Sequence, residues 1–215
     1  MTGNAESRVS ARVAGYDADI PEGISPDAAQ TWPPPELIES FLGSFDFSEL
    51  PEDERTPEDQ EAARQFRTVL GRFASGVTIV TCATLDGPIG MTCQSFSSVS
   101  LKPPLVLIVL AKTSRTWPLM RKAGHYAINL LAASQDALST QFATSGADKF
   151  AGVVSTPGIN GDPHLAGCLG HIDCTVHAVH EAGDHYLVVG QVQQLVEGET
   201  DDPLLFYRSA YGTLR

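Results

Sequence analysis

The sequence predicts a mainly β protein, an antiparallel β-barrel with short helices at its ends. Six or more runs of strand length are bounded by turn residues. Most neighbouring runs are joined by hairpin-like connections, which favours antiparallel pairing. The helical segments are too few for alternating βαβ units, and the chain has no G-x-G-x-x-G pattern. A doubly wound dinucleotide-binding fold is therefore not supported.

The predicted strands are β-branched or apolar runs, and they occupy residues 77–84, 89–91, 105–111, 125–131, 170–180 and 186–196, with short closing segments at 203–208 and 210–212. A turn at 85–88 joins the first two strands, and one at 181–184 joins the long pair. The run 105–111 is apolar at every position, which predicts a central strand covered on both faces.

Three helices are predicted between or before these strands. An apolar face at Phe66, Val69, Leu70 and Phe73 predicts a helix over 61–73 that Gly76 ends. Ser114 is expected to cap a helix over 115–122, and Ser134 a helix that runs through Phe142. The segment 143–168 is rich in glycine and proline, so we expect an irregular loop with a functional role.

The charge distribution separates an N-terminal extension, residues 1–60, from a domain over 61–215. The net charge is −12; residues 1–60 carry 14 acidic and 3 basic side chains, a net charge of −11, which leaves −1 for the domain. Without clustered basic residues, a nucleic-acid partner and an anionic membrane surface are disfavoured. The proline-rich extension contains one possible amphipathic helix at 36–45. This helix packs on its own barrel or a sister subunit, or it docks a partner protein.

The sequence also favours a cytoplasmic location with reduced thiols. The N-terminus lacks the apolar core of a signal peptide, and no apolar run approaches the roughly 20 residues that cross a bilayer. The four cysteines show no C-x-x-C spacing, and Cys82 and Cys174 lie inside apolar runs, which predicts burial. His164, His171, His177 and His180 do not have the spacing of a ligand set, so no metal site is expected.

A small, hydroxyl-rich stretch, residues 90–105, lies between two apolar strands and carries no charge before Lys102. Such a stretch places backbone amides and short donors beside a rigid sheet. This arrangement suits a planar, polar, phosphate-bearing ligand better than a metal ion.

This stretch carries a family resemblance. The pattern Gly-Met-Thr-x-x-Ser-Phe-x-Ser-Val-Ser-Leu-x-Pro-Pro-Leu over 90–105 resembles the flavin reductase components of two-component flavin-dependent monooxygenases. Further matching motifs occur in order, and they are Arg-Phe-Ala-Ser-Gly-Val-Thr at 72–78, Ser-Arg-Thr-Trp-Pro-Leu at 114–119, Ala-Ile-Asn-Leu-Leu at 127–131, Asp-Lys-Phe-Ala-Gly-Val at 148–153, Gly-Asp-His-Tyr at 183–186 and Leu-Phe-Tyr-Arg at 205–208.

The resemblance implies an FMN-binding split β-barrel, a homodimer, and NADH- or NADPH-dependent reduction of free FMN or FAD for a separate monooxygenase. It implies that His185 contacts the nicotinamide nucleotide as the catalytic residue, with Phe206, Tyr207 and Arg208 on the same side. The implied cofactor-binding residues are Pro88, Ile89, Gly90, Met91, Thr92, Gln94, Ser95, Val109, Leu110, Ala111, Arg115, Thr116, Gln141, Phe142, Leu205, Phe206, Tyr207 and Arg208. Among these, Arg115 and Thr116 would hold the flavin phosphate near a helix N-terminus, which suits an anion.

Two alternatives stay open at this point. One is a flavin-binding protein without hydride transfer, with the extension as its interaction element. The other is a split barrel like that of pyridoxamine-phosphate oxidases, which lacks the Gly-Asp-His motif. Hydride transfer between nicotinamide and flavin needs little acid–base chemistry from protein side chains, so the lack of a nucleophile motif is compatible with a reductase.

Overall fold

The computed structural model describes residues 12–13, 16–17, 65, 68–199 and 201–214. The chain divides into two units, Met1–Leu50 and Pro51–Arg215. In the first unit, β1 (Arg12–Val13) and β2 (Tyr16–Asp17) pair antiparallel. The predicted helix at 36–45 lies outside the described residues, and the boundary at residue 60 stays a prediction.

A seven-stranded antiparallel sheet forms most of the second unit. Its strands are β4 (Thr78–Thr84), β5 (Gly87–Cys93), β6 (Ser97–Leu101), β7 (Pro104–Ala111), β8 (His125–Leu130), β11 (Gly170–Ala182) and β12 (His185–Glu197). Their order is β5-β4-β8-β11-β12-β7-β6. The two edge strands of this order, β5 and β6, are consecutive in the chain, so the sheet curls and brings its two edges close together. The edges do not pair with each other, and the gap between them is here called the seam. The predicted antiparallel, mainly β fold is confirmed.

Two smaller sheets complete the described residues. β3 (Ser75–Gly76), β13 (Leu205–Tyr207) and β14 (Ala210–Gly212) form a three-stranded sheet in the order β14-β13-β3. β9 (Ser155–Pro157) and β10 (Pro163–Leu165) form a hairpin inside the segment predicted to be irregular. That prediction is wrong for these residues because β10 is tied into the core, where all three of its residues are buried.

The predicted hairpins are confirmed, and their turns explain their register. Leu85 and Asp86 form the turn between β4 and β5, where Thr84 pairs with Gly87. In the long hairpin, Ala182 pairs with His185 across a two-residue turn, and Gly183 adopts a φ of 60°. A positive φ at this position suits glycine and matches the twist of the paired strands.

The helices α1 (Trp117–Ala123) and α2 (Asp136–Ala143) begin later than predicted. At α1 the Ser114 hydroxyl still accepts the Trp117 amide at 3.2 Å, and Gly124, with a φ of 77°, ends the helix. The predicted cap of α2 at Ser134 is wrong. Gln135 occupies the cap position without a side-chain cap, and the Asp136 carboxylate accepts the amide of Ala137.

The predicted helix over 61–73 is shorter than expected in the part that is described. Residues 68–70 are helical, and Gly76 belongs to β3 rather than to the helix end. The side chains of Val69, Leu70 and Phe73 are exposed by 57%, 53% and 80%. Val69, Leu70 and Phe73, the described residues of the predicted apolar face, are therefore not buried by the described part of the chain.

β7 has two different faces. Val106, Ile108 and Leu110 are buried inside the barrel, whereas Leu105, Leu107 and Val109 alternate with them and are only half-buried. The prediction that both faces of this strand are covered is therefore wrong for one copy of the chain. No helix in the described part of the chain has the length and apolar character needed to span a bilayer.

Candidate functional site

The seam of the barrel brings together residue groups that the sequence places far apart. The Ser95 hydroxyl accepts the Val109 amide at 2.8 Å and donates to the Val109 carbonyl at 2.9 Å. The Ser114 hydroxyl lies 3.8 Å from the sulfur of Met91. The stretch 88–95, the end of β7 and the loop before α1 are therefore neighbours, as the predicted site requires.

The backbone of β5 is the central part of this region. β5 is an edge strand, so on one side it has no neighbouring strand in the seven-stranded sheet. A Cβ added at Gly90 would lie 2.7 Å from the Phe142 ring, a distance that real Cβ contacts do not reach. Gly90 is therefore required by the close packing of β5 on α2.

α2 supports β5 from behind. The Thr92 hydroxyl donates to the Ser139 carbonyl at 2.6 Å, and the Phe142 ring has no exposed surface. The Gln141 amide donates to the carbonyls of Lys149 and Ala151 at 3.0 and 3.1 Å. The side chains of Thr92, Gln141 and Phe142, all predicted to contact flavin, are thus engaged with protein partners.

Lys149 is a residue of this region to which sequence reasoning gave no role. Its ammonium donates to the Gly90 carbonyl at 3.2 Å and to the Phe142 carbonyl at 2.9 Å. Burial lowers the pKa of this ammonium. The Asp-Lys-Phe motif at 148–150 was the available signal, but a motif without structure does not say what the lysine contacts.

The loop between β7 and α1 carries the predicted phosphate-binding residues. Arg115 is exposed, and Thr116 is half-buried at the N-cap position of α1. Trp117, the next residue, is 2% exposed and packs against Tyr186 with ring centroids 6.3 Å apart. Trp117 is therefore a packing residue of the core.

His185 lies at the end of β12 beside the end of β7. It pairs with Ala111 in the strand ladder, and the Asp184 carbonyl accepts the Lys112 amide at 2.9 Å. The His185 Nδ1 lies 2.7 Å from the Asp184 carboxylate, and both side chains are exposed, by 42% and 94%. This imidazole is oriented by a carboxylate and remains accessible to a ligand.

The segment 205–208 lies elsewhere in the same copy of the chain. The Leu204 amide donates to the Leu131 carbonyl, and the Leu204 carbonyl accepts the Val77 amide, near the Gly170 end of β11. His185 instead pairs with Ala182 at the other end of β11. The prediction that this segment shares a side with His185 is therefore wrong within one chain. The separation follows from the length of β11, whose 13 residues span about 40 Å when extended.

The tip of the β13–β14 hairpin has an unusual backbone. Arg208 and Ser209 adopt φ angles of 49° and 64°, which residues with a side chain rarely adopt. The Arg208 amide donates to the Gly71 carbonyl at 2.8 Å, and Phe206 packs edge-to-face on Tyr211 at 5.4 Å. Arg208 and Ser209 are the two central residues of the turn that pairs Tyr207 with Ala210, and a positive φ at both positions is the usual geometry of such a turn.

A cavity of about 390 Å³ lies at this end of the barrel. Its lining is mostly apolar, with Ser75, Thr78 and Gln94 as the polar side chains. The other lining residues are Phe73, Ala74, Gly76, Val77, Phe96, Leu130, Leu131, Leu169, Pro203 and Leu204. Of the predicted flavin contacts, Gln94 faces this cavity. It is exposed, unlike Thr92 on the same stretch.

Two histidine–aspartate pairs in the core were missed by sequence reasoning. His125 Nδ1 lies 2.9 Å from both carboxylate oxygens of Asp162, and His164 Nε2 lies 3.0 Å from both oxygens of Asp173. Both carboxylates have no exposed surface. Histidine supplies the polar partner that a buried carboxylate requires.

Cys82 joins the first of these pairs in the one described group with the spacing of a metal site. Burial, followed by the nearby Asp162 carboxylate, raises the pKa of the Cys82 thiol to about 12. The thiol is therefore protonated at neutral pH, while the imidazole and carboxylate bond to each other. Hydrogen bonding accounts for this geometry without a metal ion.

His171 is joined to the second pair. Its ring stacks on His164 at 4.4 Å, and its Nδ1 lies 2.9 Å from the Asn129 side-chain oxygen. Burial, with a smaller contribution from His164, lowers the pKa of His171 to about 4. Since Asn129 also accepts the Leu165 amide at 2.8 Å, this network fixes β10 against β8.

Comparisons with known proteins agree with the resemblance. The model of the flavin reductase like domain matches residues 70–215. The reductase subunit HsaB of a flavin-dependent monooxygenase from Rhodococcus jostii is 46% identical over 148 residues, 69% of this chain and 76% of that protein. A homologue of nitrilotriacetate monooxygenase component B from Mycobacterium thermoresistibile is 43% identical, with a TM-score of 0.72 over 73% of this chain and 89% of that one.

An NADH:FAD oxidoreductase of Streptomyces globisporus, solved in complex with NAD and FAD fragments, is 33% identical, with a TM-score of 0.69 over 76% of this chain and 97% of that one. The family model covers more than half of the chain, and the solved relatives share its curled antiparallel sheet. This chain belongs to the flavin reductase family.

Proposed function

We propose that the protein reduces free FMN or FAD with NADH or NADPH and supplies the reduced flavin to a separate monooxygenase. The observation that carries this proposal is the position of His185, which pairs with Ala111 at the end of β7, one of the residues predicted to lie under the flavin. A flavin seated there accepts hydride from a bound nicotinamide. The chain itself has to hold two ligands, align them and keep one face of the flavin open.

The seam supplies what a flavin ring needs. The backbone of Pro88–Thr92 provides polar groups along an edge strand, and Ser95 fixes this stretch against Val109. The half-buried Val109 and Ala111 provide an apolar floor. Together these groups fit a planar ring with one polar edge, whereas Thr92, Gln141 and Phe142 act through their side chains as support behind the strand.

Arg115 and Thr116 hold the phosphate in this proposal. Arg115 lies on the loop that leads from the flavin floor into α1, and its guanidinium suits a phosphate through paired, charge-assisted hydrogen bonds. Thr116 adds a hydroxyl at the same place. With the phosphate held there, the flavin ring lies against the seam, and the outer face of the ring is directed towards His185.

His185 orients the nicotinamide nucleotide. Its ring is held by Asp184, so one nitrogen faces the carboxylate and the other remains for a polar group of the ligand. Its role is to position the hydride donor above the flavin at short range, which is where most of the rate enhancement of such a reaction arises.

We also infer that two copies of the chain form the working enzyme. The outer face of β7 and β12 presents Leu107 beside Val189, with Leu187 next along β12 on the same face, all half-buried in one copy. An apolar sheet face of this kind is typical of a subunit interface.

The experiment is a steady-state assay of the purified chain with each of the four pairs of NADH or NADPH with FMN or FAD. Rapid, flavin-dependent loss of nicotinamide absorbance is the expected result, with the reduced flavin recovered by filtration as an unbound product. Assays without flavin serve as the control. Absence of turnover with all four pairs would overturn the proposal, and a tightly held flavin that NADH does not bleach would indicate a binding protein instead.

A further inference from the structure

We propose that Lys149 is a positioning residue for flavin, acting through the backbone of β5. This inference rests on the flavin site proposed above. Lys149 belongs to the Asp-Lys-Phe motif, which forms a turn at residues 148–151, here called the 148–151 turn. Its contacts show that it joins the flavin-lining strand to the helix behind it.

The ammonium of Lys149 links two separate elements. It donates to the carbonyl of Gly90 in β5 at 3.2 Å and to the carbonyl of Phe142 in the last turn of α2 at 2.9 Å. The second bond also places a cation at the C-terminal end of a helix, where it is favourable. A side chain without a hydrogen-bond donor, such as methionine, can supply neither bond.

The turn is itself held in place, so the ammonium has a fixed origin. The Gln141 amide binds the carbonyls of Lys149 and Ala151, and the Phe150 ring packs edge-to-face on Phe142 with centroids 5.1 Å apart. The Asp148 carboxylate accepts the Phe150 amide at 3.2 Å. These contacts attach both ends of the turn to α2.

The position of β5 explains why these two hydrogen bonds of Lys149, here called the brace, affect flavin binding. An interior strand is fixed by ladders on both sides, but β5 is an edge strand with a ladder to β4 alone. Lys149 fixes the Gly90 carbonyl, and therefore the plane of the peptide between Gly90 and Met91. That peptide belongs to the stretch that lines the flavin ring, so loss of the brace loosens the site without removing any group that touches the nicotinamide.

The test compares Lys149→Met, which keeps the aliphatic stem and removes the ammonium, with Lys149→Arg, which keeps the charge. We expect the methionine variant to raise the KM for flavin by about tenfold, equivalent to about 1.4 kcal/mol. At saturating flavin its kcat should stay within about twofold of the parent, with the KM for NADH unchanged. The arginine variant should recover part of the loss. Lys122→Met, at an exposed lysine of α1, is the matched control and should change neither constant.

A purely structural role predicts a different result: a lower melting temperature with an unchanged KM for flavin in the folded protein. That result, or equal increases in the KM for both substrates, would overturn the inference. If Lys149→Met fails to fold, Gln141→Leu tests the same brace one contact away and should raise the KM for flavin by a smaller factor.

Arg115→Ala separates this inference from the proposed site. If that variant leaves the KM for flavin unchanged, the site itself is wrong and the brace has no ligand to position. If Arg115→Ala raises the KM for flavin and Lys149→Met does not, the site stands and only the positioning role of Lys149 is overturned.

Discussion

Three histidine–aspartate pairs of similar geometry differ in their exposure, and exposure separates their roles. The pairs are His125–Asp162 at 2.9 Å, His164–Asp173 at 3.0 Å and His185–Asp184 at 2.7 Å. The first two carboxylates have no exposed surface, whereas the third is 94% exposed. In the core, the imidazole replaces the water that the carboxylate has lost. At the hairpin, water still reaches both groups, so the imidazole remains available to a ligand.

The comparison also shows why one pair is suited to binding and the others to stability. The His164 ring stacks on His171, and its Nε2 is engaged by Asp173, so the pair belongs to a packed network. The His185 ring lies at the end of β12 beside the loop after β7. A substitution in the core should therefore cost stability, and one at the hairpin should cost activity.

The largest effect is expected from His164→Ala. This change leaves the Asp173 carboxylate buried without its imidazole partner, and breaking a buried pair in this way costs about 3–5 kcal/mol. Urea denaturation of the parent and the variant measures the difference. The double variant His164→Ala with Asp173→Asn should recover part of the loss, because the amide carries no charge. A loss below about 1 kcal/mol would contradict the structural role of the pair.

Sequence reasoning recovered the parts of the fold that depend on neighbouring residues. A β-branched run followed by a turn of a few residues predicts the β4–β5 hairpin. A single glycine predicts the end of α1. The two core pairs join β10 and the residue before it to β8 and β11, across stretches of up to 37 residues. No local pattern marks such partners, and the glycines and prolines around Asp162 made the hairpin resemble a loop.

The same distinction applies to the candidate site. The motif at 90–105 carries the predicted flavin-lining stretch, and it is visible in the sequence because its residues are neighbours along the chain. Sequence reasoning also placed the side chains of Gln141 and Phe142 in the pocket, but the structure engages the first with the 148–151 turn and buries the second. Lys149 lies 59 residues from its partner Gly90, so only the folded chain reveals the contact.

A second prediction uses the low pKa of His171. Burial lowers this pKa from 6.5 to about 4, so between these values the unfolded chain binds a proton that the folded chain does not. Above pH 6.5 the imidazole is neutral in both states and its titration leaves the free energy of unfolding unchanged, and as the pH falls from 6.5 towards 4 that free energy decreases. The decrease is at most about 3–4 kcal/mol, and it is smaller because solvent reaches the half-buried ring.

Denaturation at a series of pH values checks this expectation. In the parent, the free energy of unfolding should decrease as the pH falls from 6.5 to 4. His171→Gln keeps a donor for Asn129 but does not titrate. In this variant the free energy of unfolding should depend less steeply on pH over that window, by an amount that corresponds to up to one bound proton. Identical slopes in the two proteins would mean that His171 does not contribute to the acid sensitivity of the core.

His185→Ala tests the exposed pair, and it is expected to have the smallest effect in free energy. The variant should lose about tenfold in kcat/KM for NADH, the size of one hydrogen bond to a ligand, with its melting temperature unchanged. The KM for flavin should stay constant because the seam is untouched. His180→Ala, another exposed histidine of the same hairpin, is the control and should retain full activity. A variant that instead lost stability and kept its kcat/KM would place His185 with the core pairs, and exposure would no longer explain which histidine serves the reaction.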